Sequence, residues 1–121
     1  MRLVPDAQVQ SWLNDQIDGH DDFDWDSGNR DKNLKHSVSW EDVESLFGSP
    51  YFFEGRIVEP DRSEPRYLIL GKDRQDRYLA LVFTLRRGRL RTICCRRMRK
   101  KERDRYETHT WQIQGAKGSH H

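Results

Sequence analysis

The chain has 121 residues, of which 34% are apolar and 35% are charged, and 13 of them are aromatic. This length and composition predict one domain with a modest core and a heavily charged surface, and they fit such a domain better than a disordered chain. No apolar run approaches the roughly 20 residues of a membrane helix, and no apolar segment follows Arg2 as in a signal peptide. We therefore expect a cytoplasmic protein with no membrane contact.

The net charge of +2 hides a strong asymmetry along the chain. Residues 1–65 contain 6 basic and 15 acidic side chains, whereas residues 66–121 contain 16 basic and 5 acidic ones. Residues 86–105 alone carry 11 basic and 2 acidic side chains. Such a concentration is typical of a polyanion-binding surface. The alternative is a solvated face, or a salt-bridge layer between the two halves.

The first half of the chain predicts helices. A helix is expected over residues 6–18, with Val9, Trp12, Leu13 and Ile17 on one face and Gly19 at its end. Alternation of Phe23 and Trp25 with aspartates predicts a short strand, and Ser27 can cap a helix over 29–36. Ser39 and Asp42 form a capping-box signal for a third helix that ends at Gly48.

The second half predicts a sheet. Four strand-like runs, at 51–58, 66–71, 77–84 and 89–95, are separated by short turn-type connectors, so we expect an antiparallel meander. A basic helix follows at 99–107, and its few apolar anchors, Met98 and Tyr106, predict weak docking. Beyond it, Trp111 and Ile113 could form a last edge segment. The fold class is therefore α+β, with helices gathered on one face of the sheet.

Cysteine and histidine usage indicates neither a metal site nor a disulfide, and we expect no cofactor. Cys94 and Cys95 are adjacent, so on a strand they point to opposite faces. No other Cys or His lies at metal-ligand spacing. The end of the chain, 118–121, has the sequence of an expression-tag remnant.

Three blocks of the sequence resemble a known family. The first runs from Phe23 to Phe47 and contains Phe-x-Trp-Asp, an Asn and Lys-His-x-Val-Ser. The second is Ser63, Glu64, Arg66, Tyr67 and Gly71; the third comprises Arg91, Ile93, Cys94, Cys95, Arg96, Glu102, Arg103, Tyr106 and Glu107. In this order the blocks resemble the BrnT-type toxins of bacterial type II toxin–antitoxin pairs.

The resemblance implies a RelE-like fold of four to five strands and a ribonuclease that cleaves RNA and arrests translation. It also implies a small antitoxin, usually a ribbon-helix-helix protein, with which the toxin represses its own operon. Operator DNA would be bound only through that antitoxin, and a complex with two copies of each is one arrangement. The domain would span 23–107, with an N-terminal helical extension at 1–22 and a tail at 108–117.

This sequence departs from the family pattern in places. Arg62 stands where the family often has a histidine, in a shortened loop, and Cys94-Cys95 replaces a Ser-Ala pair. The missing loop histidine argues against proton transfer by a histidine there.

RNA cleavage without a metal needs a group that accepts the 2′-hydroxyl proton and cations that stabilise the crowded phosphate. Arginine suits the second task because its planar fork meets two phosphate oxygens. Among the residues that match the family, we expect phosphate contacts from Arg66, Arg91 and Arg96. Proton-transfer candidates are Lys35, His36, Glu64 and Tyr106. Further RNA contacts are expected from the basic residues Arg89, Arg97, Arg99, Lys100, Lys101 and Arg103.

Each of these assignments has a structural alternative. The arginines could hold the acidic half through salt bridges, His36 could cap a helix end, and Tyr106 could anchor the last helix. For the whole protein, two rivals to the enzyme remain open: a nucleic-acid-binding module without cleavage, and a degenerate toxin that acts only through protein contacts.

Overall fold

The structure, a computed structural model, describes residues 1–118, with side chains to residue 110. The elements are β1 (Arg2–Val4), α1 (Ala7–Asp15), α2 (Trp40–Ser45), β2 (Tyr51–Glu59), β3 (Arg66–Lys72), β4 (Tyr78–Arg86), β5 (Arg89–Arg97) and α3 (Lys100–Gly118). The strands form one antiparallel sheet in the order β1-β2-β3-β4-β5. This architecture confirms the predicted α+β class and the meander. No helix in the described part of the chain is both long and apolar enough to cross a membrane.

The sheet is covered on both faces. On the first, which we call the α1–α2 face, Val9, Leu13, Val43 and Leu46 meet side chains of the strands. On the second, the α3 face, Tyr106 contacts a smaller group made of Leu68, Leu70, Ala80 and Val82. The prediction that the helices gather on one face is thus confirmed for α1 and α2 and wrong for α3.

Local capping signals explain where α1 and α2 begin. The Ser39 hydroxyl accepts the Asp42 N–H at 3.1 Å, and the Asp42 carboxylate accepts the Ser39 N–H at 3.0 Å, which confirms the capping box. Asp6 caps α1 by accepting the Val9 N–H at 3.1 Å. α1 ends at Asp15, three residues earlier than predicted.

The segment before α2 differs from its prediction. Residues 22–26 make only an isolated parallel bridge between Phe23 and Leu90, and Lys32–His36 is a 3-10 turn within the range predicted as a helix. The reason lies in two asparagines. Asn33 Oδ1 accepts the Cys95 N–H at 3.1 Å, and Asn29 Nδ2 donates to the carbonyls of Asp24 and Thr92. These bonds fix the segment against the edge of β5 in an irregular course.

Both ends of the chain carry structure that was not predicted. β1 pairs with β2 beside a bulge at Gly55, whose φ is +129°. α3 continues through residues 111 and 113, so the prediction of a last edge segment there is wrong. The tag assignment at 118–121 falls, except for Gly118, outside the described residues.

Candidate active site

Strand register places Arg66, Arg91 and Arg96 on the α3 face. Arg66 lies opposite Ile57 and Arg96 lies opposite Ala80, and both partners belong to the α3-side group. Arg91 follows Leu90, which is buried on the α1–α2 face, so the alternation of a strand turns Arg91 to the other side. The three arginines therefore share one face of the sheet.

Arg66 and Arg91 stand at the same end of that face. Thr84 on β4 is paired with Arg91, and it lies one residue beyond the pair of Phe83 with Tyr67, the neighbour of Arg66. Arg66, Thr84 and Arg91 thus form a row across three strands. At a strand spacing of about 4.8 Å, the Cα atoms of the two arginines lie about 10 Å apart.

The Arg91 side chain holds the acidic segment that precedes the Lys32–His36 turn. Its Nη1 and Nη2 donate to the two oxygens of Asp26 at 2.8 and 3.1 Å, and Asp24 lies 3.7 Å from Nη1. The bond from Arg91 keeps the pKa of Asp26 below its usual value. The positive charge of Arg91 is therefore partly neutralised by the Asp26 carboxylate.

Arg66 differs from the other two arginines. Its Nε is buried and has no hydrogen-bond partner among the described residues. No carboxylate of the described side chains lies within 4.0 Å of its guanidinium. A buried donor without an acceptor costs free energy, so Arg66 is suited to receive an anion.

Glu64 interacts with three arginines at this end of the sheet. Arg86 donates to its two oxygens at 2.7 and 3.0 Å, and the charges of Arg66 and Arg91 also act on it. The hydrogen bond from Arg86, helped by these charges, lowers the pKa of Glu64 from its usual value. We call Glu64, Arg66, Arg86 and Arg91 the arginine cluster. Of the four predicted proton-transfer residues, Glu64 is the one that lies within it.

A cavity opens beside the arginine cluster at the tip of the β4–β5 hairpin. Its volume is about 530 Å³, and its lining comprises Asp24, Asp26, Arg86, Arg87, Arg89 and Arg91. The hairpin turns through Arg87 and Gly88, both with positive φ, which is the geometry of a two-residue turn that matches strand twist. The tight turn brings three arginines to one rim, so this end of the sheet presents a cationic cleft.

Arg96 belongs to a second group, about 16 Å along β5 from Arg91 at a rise of about 3.3 Å per residue. It donates to both oxygens of Glu102 at 2.7 and 3.0 Å, and Glu102 also accepts the Arg99 N–H at the start of α3. Burial raises the pKa of Glu102, but the bonds from Arg96 and Arg99 outweigh it and the net shift is downward. In this state, Arg96 ties β5 to α3.

Tyr106 anchors α3 in the same way. Its side chain is 3% exposed, and its hydroxyl donates to the Pro50 carbonyl at 2.8 Å. Burial raises the pKa of the phenol. A buried phenol whose proton is already committed to a carbonyl is poorly placed to exchange it with a substrate, so its position here matches that of an anchor.

Lys35 and His36 lie elsewhere. Both are exposed on the Lys32–His36 turn, which contacts β5 through Asn33 near Cys95. Cys95 is far along β5 from Arg91, toward the end that carries Arg97. The structure therefore does not bring Lys35 and His36 into the arginine cluster.

Four of the six predicted RNA contacts line one of two cavities, and Arg97 and Arg103 line neither. Arg89 lines the cavity beside the arginine cluster. Arg99, Lys100 and Lys101 line a second cavity of about 450 Å³ on the α3 face, whose floor includes Leu3 and Leu68. Arg103 pairs with Glu107 and stacks over Tyr78, while Arg97 lies opposite Leu79, whose side chain belongs to the α1–α2 face.

Sequence reasoning did not assign Arg86, Asp24 or Asp26 to the site. A signal for Arg86 was present, since it stands two residues after Thr84 and so shares its face if the strand continues past the predicted end at 84. Asp26 belongs to the Phe-x-Trp-Asp motif, but nothing in the sequence pairs either aspartate with Arg91, because this contact depends on how the irregular segment 23–37 folds. No group of three or more His, Cys, Asp or Glu side chains with metal-site geometry occurs among the residues that the structure describes.

Comparison with known proteins identifies a family. A family model described as a ribonuclease toxin, BrnT, of type II toxin–antitoxin systems matches residues 25–102, which include the arginine cluster, Arg96 and Glu102. No curated protein matches the chain.

Proposed function

Because the chain belongs to the BrnT family of ribonuclease toxins of type II toxin–antitoxin systems, we propose that it cleaves RNA at the arginine cluster. The observation that carries this proposal is Arg66, whose buried Nε has no acceptor among the described residues, next to a carboxylate and two further guanidinium groups. This combination supplies an empty phosphate-binding group and a proton acceptor at one place.

In the proposed reaction the RNA supplies its own nucleophile. The ionised Glu64 accepts the proton of the 2′-hydroxyl, whose oxygen attacks the neighbouring phosphorus. The bond from phosphorus to the 5′ oxygen breaks, and that oxygen takes up a proton from water in the open cleft. The products are a 2′,3′-cyclic phosphate and a 5′-hydroxyl end.

The arginines stabilise the charge that develops on the phosphate. Arg66 offers its free fork, and Arg91 exchanges Asp26 for a phosphate oxygen when RNA binds. Such preorganised donors act most strongly on the transition state, and loss of one typically costs about 10²–10³ in rate. The reaction as proposed draws on guanidinium groups where other nucleases use a metal ion.

We propose that the bound RNA runs from the arginine cluster across the α3 face. Arg89 at the hairpin and the Arg99–Lys101 region at the second cavity provide cations on either side of it. We propose that Arg96 extends this track once a phosphate competes with Glu102. Lys35, His36, Arg97, Arg103 and Tyr106 stand outside the arginine cluster, and for them we propose supporting roles in RNA contact or helix docking.

The partners follow from the family. We propose a small antitoxin of the ribbon-helix-helix class, a complex that holds two copies of each chain, and repression of the operon by that complex. The fold would then be RelE-like, and cleavage would arrest translation. The basic α3 face is the surface that both RNA and an acidic antitoxin segment would seek, so binding of one would exclude the other.

The test is RNA cleavage by the purified toxin in EDTA. Wild type should produce fragments with cyclic phosphate ends, and Arg66→Ala should reduce kcat/KM by about 10²–10³. Arg2→Gln, which removes one exposed cation that pairs with Glu59 at the far edge of the sheet, is the matched control and should cleave normally. RNA binding without cleavage by the folded wild type would instead support the binding-module reading.

A further inference from the structure

Two side chains of β4 hold the loop between β2 and β3 by hydrogen bonds. Thr84 Oγ1 donates to the Pro65 carbonyl at 2.7 Å, and Arg86 forms its two-pronged bond with Glu64. Thr84 and Arg86 are alternate residues of β4 and so project from the same face. They bind Glu64 and Pro65, the two residues that directly precede Arg66 in the chain.

We infer that Arg86 is a positioning residue that acts through Glu64, holding its carboxylate near Arg66 and Arg91 for proton transfer. The inference rests on the proposed function and deepens it. Arg86 is not required to touch RNA, because both prongs of its guanidinium that face the loop are engaged by the Glu64 carboxylate. Its role is to set where Glu64 stands and in which protonation state.

Three arginines act on the charge of Glu64. Glu64 is faced by Arg86 from β4, by Arg66 from β3 and by Arg91 from β5. Arg86 in turn feels the charges of Asp24 and Asp26 from the segment beside β5. The bond from Arg86 is the largest of the effects that keep the pKa of Glu64 low, so Arg86 governs the pH at which Glu64 loses its charge.

Because the bond from Arg86 is the main cause of the lowered pKa of Glu64, the direction in which the pH profile should shift can be stated. As general base, Glu64 must be ionised, so kcat/KM falls on the acid side when Glu64 takes up a proton. In wild type, this acid limb lies below the ordinary pKa of glutamate. Removing Arg86 takes away the main cause of the lowering, so the limb moves to higher pH.

The experiment compares the pH profile of kcat/KM for wild type, Arg86→Gln and Arg86→Lys. Arg86→Gln should shift the acid limb upward and lower kcat more than it raises KM. Arg86→Lys keeps a charge beside Glu64 but loses the fork, so its limb should stay nearer to that of wild type while kcat still falls. Arg2→Gln controls for the loss of one positive charge. Arg86 is 46% exposed at the hairpin end, so these variants should fold, which thermal unfolding checks.

A double-mutant cycle with Glu64→Gln provides the decisive comparison. If Arg86 acts through Glu64, adding Arg86→Gln to Glu64→Gln should change kcat/KM by less than twofold. An unmoved acid limb together with a raised KM and a weaker salt dependence would show instead that Arg86 binds phosphate directly, and would overturn the inference. Absence of cleavage by wild type would refute the proposed function itself, and the inference with it.

Discussion

The buried carboxylate of Asp42 offers a quantitative test of what holds the fold. Asp42 caps α2 and also accepts hydrogen bonds from Arg74, Gln75 and Arg77, which belong to the turn between β3 and β4. Its side chain is 4% exposed. The substitution Asp42→Asn keeps the shape of the side chain, but it removes the charge and replaces one acceptor oxygen by an NH2 group that faces N–H donors, so it removes the ionic hydrogen bonds of this site.

The magnitude follows from the pKa of Asp42. Burial raises it, but the hydrogen bonds from Ser39, Arg74 and Gln75 outweigh burial and lower the pKa from 3.8 to about 2. At 1.36 kcal/mol for each tenfold change, this corresponds to about 2.5 kcal/mol of folding free energy at neutral pH. Arg77 keeps Asp73 as a second partner at 2.7 Å, so the variant does not strand a buried cation. For a domain of this size, we expect a fall in Tm of roughly 8–12 °C.

The pH dependence separates this cause from a packing defect. The folded pKa lies below the unfolded one, so the stabilisation is complete above about pH 4 and disappears as the pH falls toward 2. Thermal unfolding of wild type and Asp42→Asn at several pH values should therefore show two curves that converge in acid. Asp61→Asn, on an exposed loop residue, is the control. A difference below 1 kcal/mol at pH 7, or one that is constant with pH, would refute the reasoning.

Two further substitutions test the ends of the fold. In Gly55→Ala, the new Cβ would clash with the Val4 carbonyl oxygen at a position of positive φ, so β1 should detach at a cost of about 2 kcal/mol or more, seen as faster hydrogen exchange at Leu3 and Val4. Gly48→Ala has open space and should change little; equal protection of β1 in both variants would contradict this account. Tyr106→Phe loses the bond to Pro50 and should cost about 1 kcal/mol in urea unfolding, with faster exchange confined to α3. Tyr51→Phe, which loses the bond to Leu13 in α1, should leave α3 unchanged, and loosening of α3 in both variants would speak against separate anchors.

The meander was predictable because each strand carries its own signal. Runs of apolar residues separated by short polar turns occur at all four positions, and the structure places strands at each. β1 was not predictable, since three residues without alternation become a strand only when β2 offers an edge. A strand was predicted around Phe23, where the structure has only an isolated bridge to Leu90. The same alternation of aromatic residues and aspartates also occurs in an irregular segment that lies along the edge strand of a sheet.

The position of α3 shows a signal that was present and not used. β3 and β4 contain nearly continuous apolar runs, Tyr67–Leu70 and Leu79–Phe83, in which successive residues are all buried. Continuous runs are typical of strands covered on both faces, so they implied a layer on the second face. The length of α3 was underestimated because Thr108, His109 and Thr110 have weak helix propensity.

Only part of the candidate site could be derived from the sequence. The alternation of the strands places Arg66 and Arg91 on one face, and the register brings them into a single row. The two ion pairs of the cluster could not be predicted, because Asp26 and Arg91 lie 65 positions apart in the chain, and Glu64 and Arg86 lie 22 apart. Such contacts depend on tertiary arrangement, which no local pattern encodes.

The sheet divides the apolar interior into two unequal halves. Among the side chains that the structure describes, which end at residue 110, fourteen buried residues form the group beside α1 and α2, whereas five form the group under α3. Local opening costs least where the fewest apolar contacts must be broken. We therefore expect residues 100–110 of α3 to separate from the sheet at a lower free-energy cost than α1 or α2. A protease or a binding partner would then reach the surface under this helix while the rest of the domain stays folded.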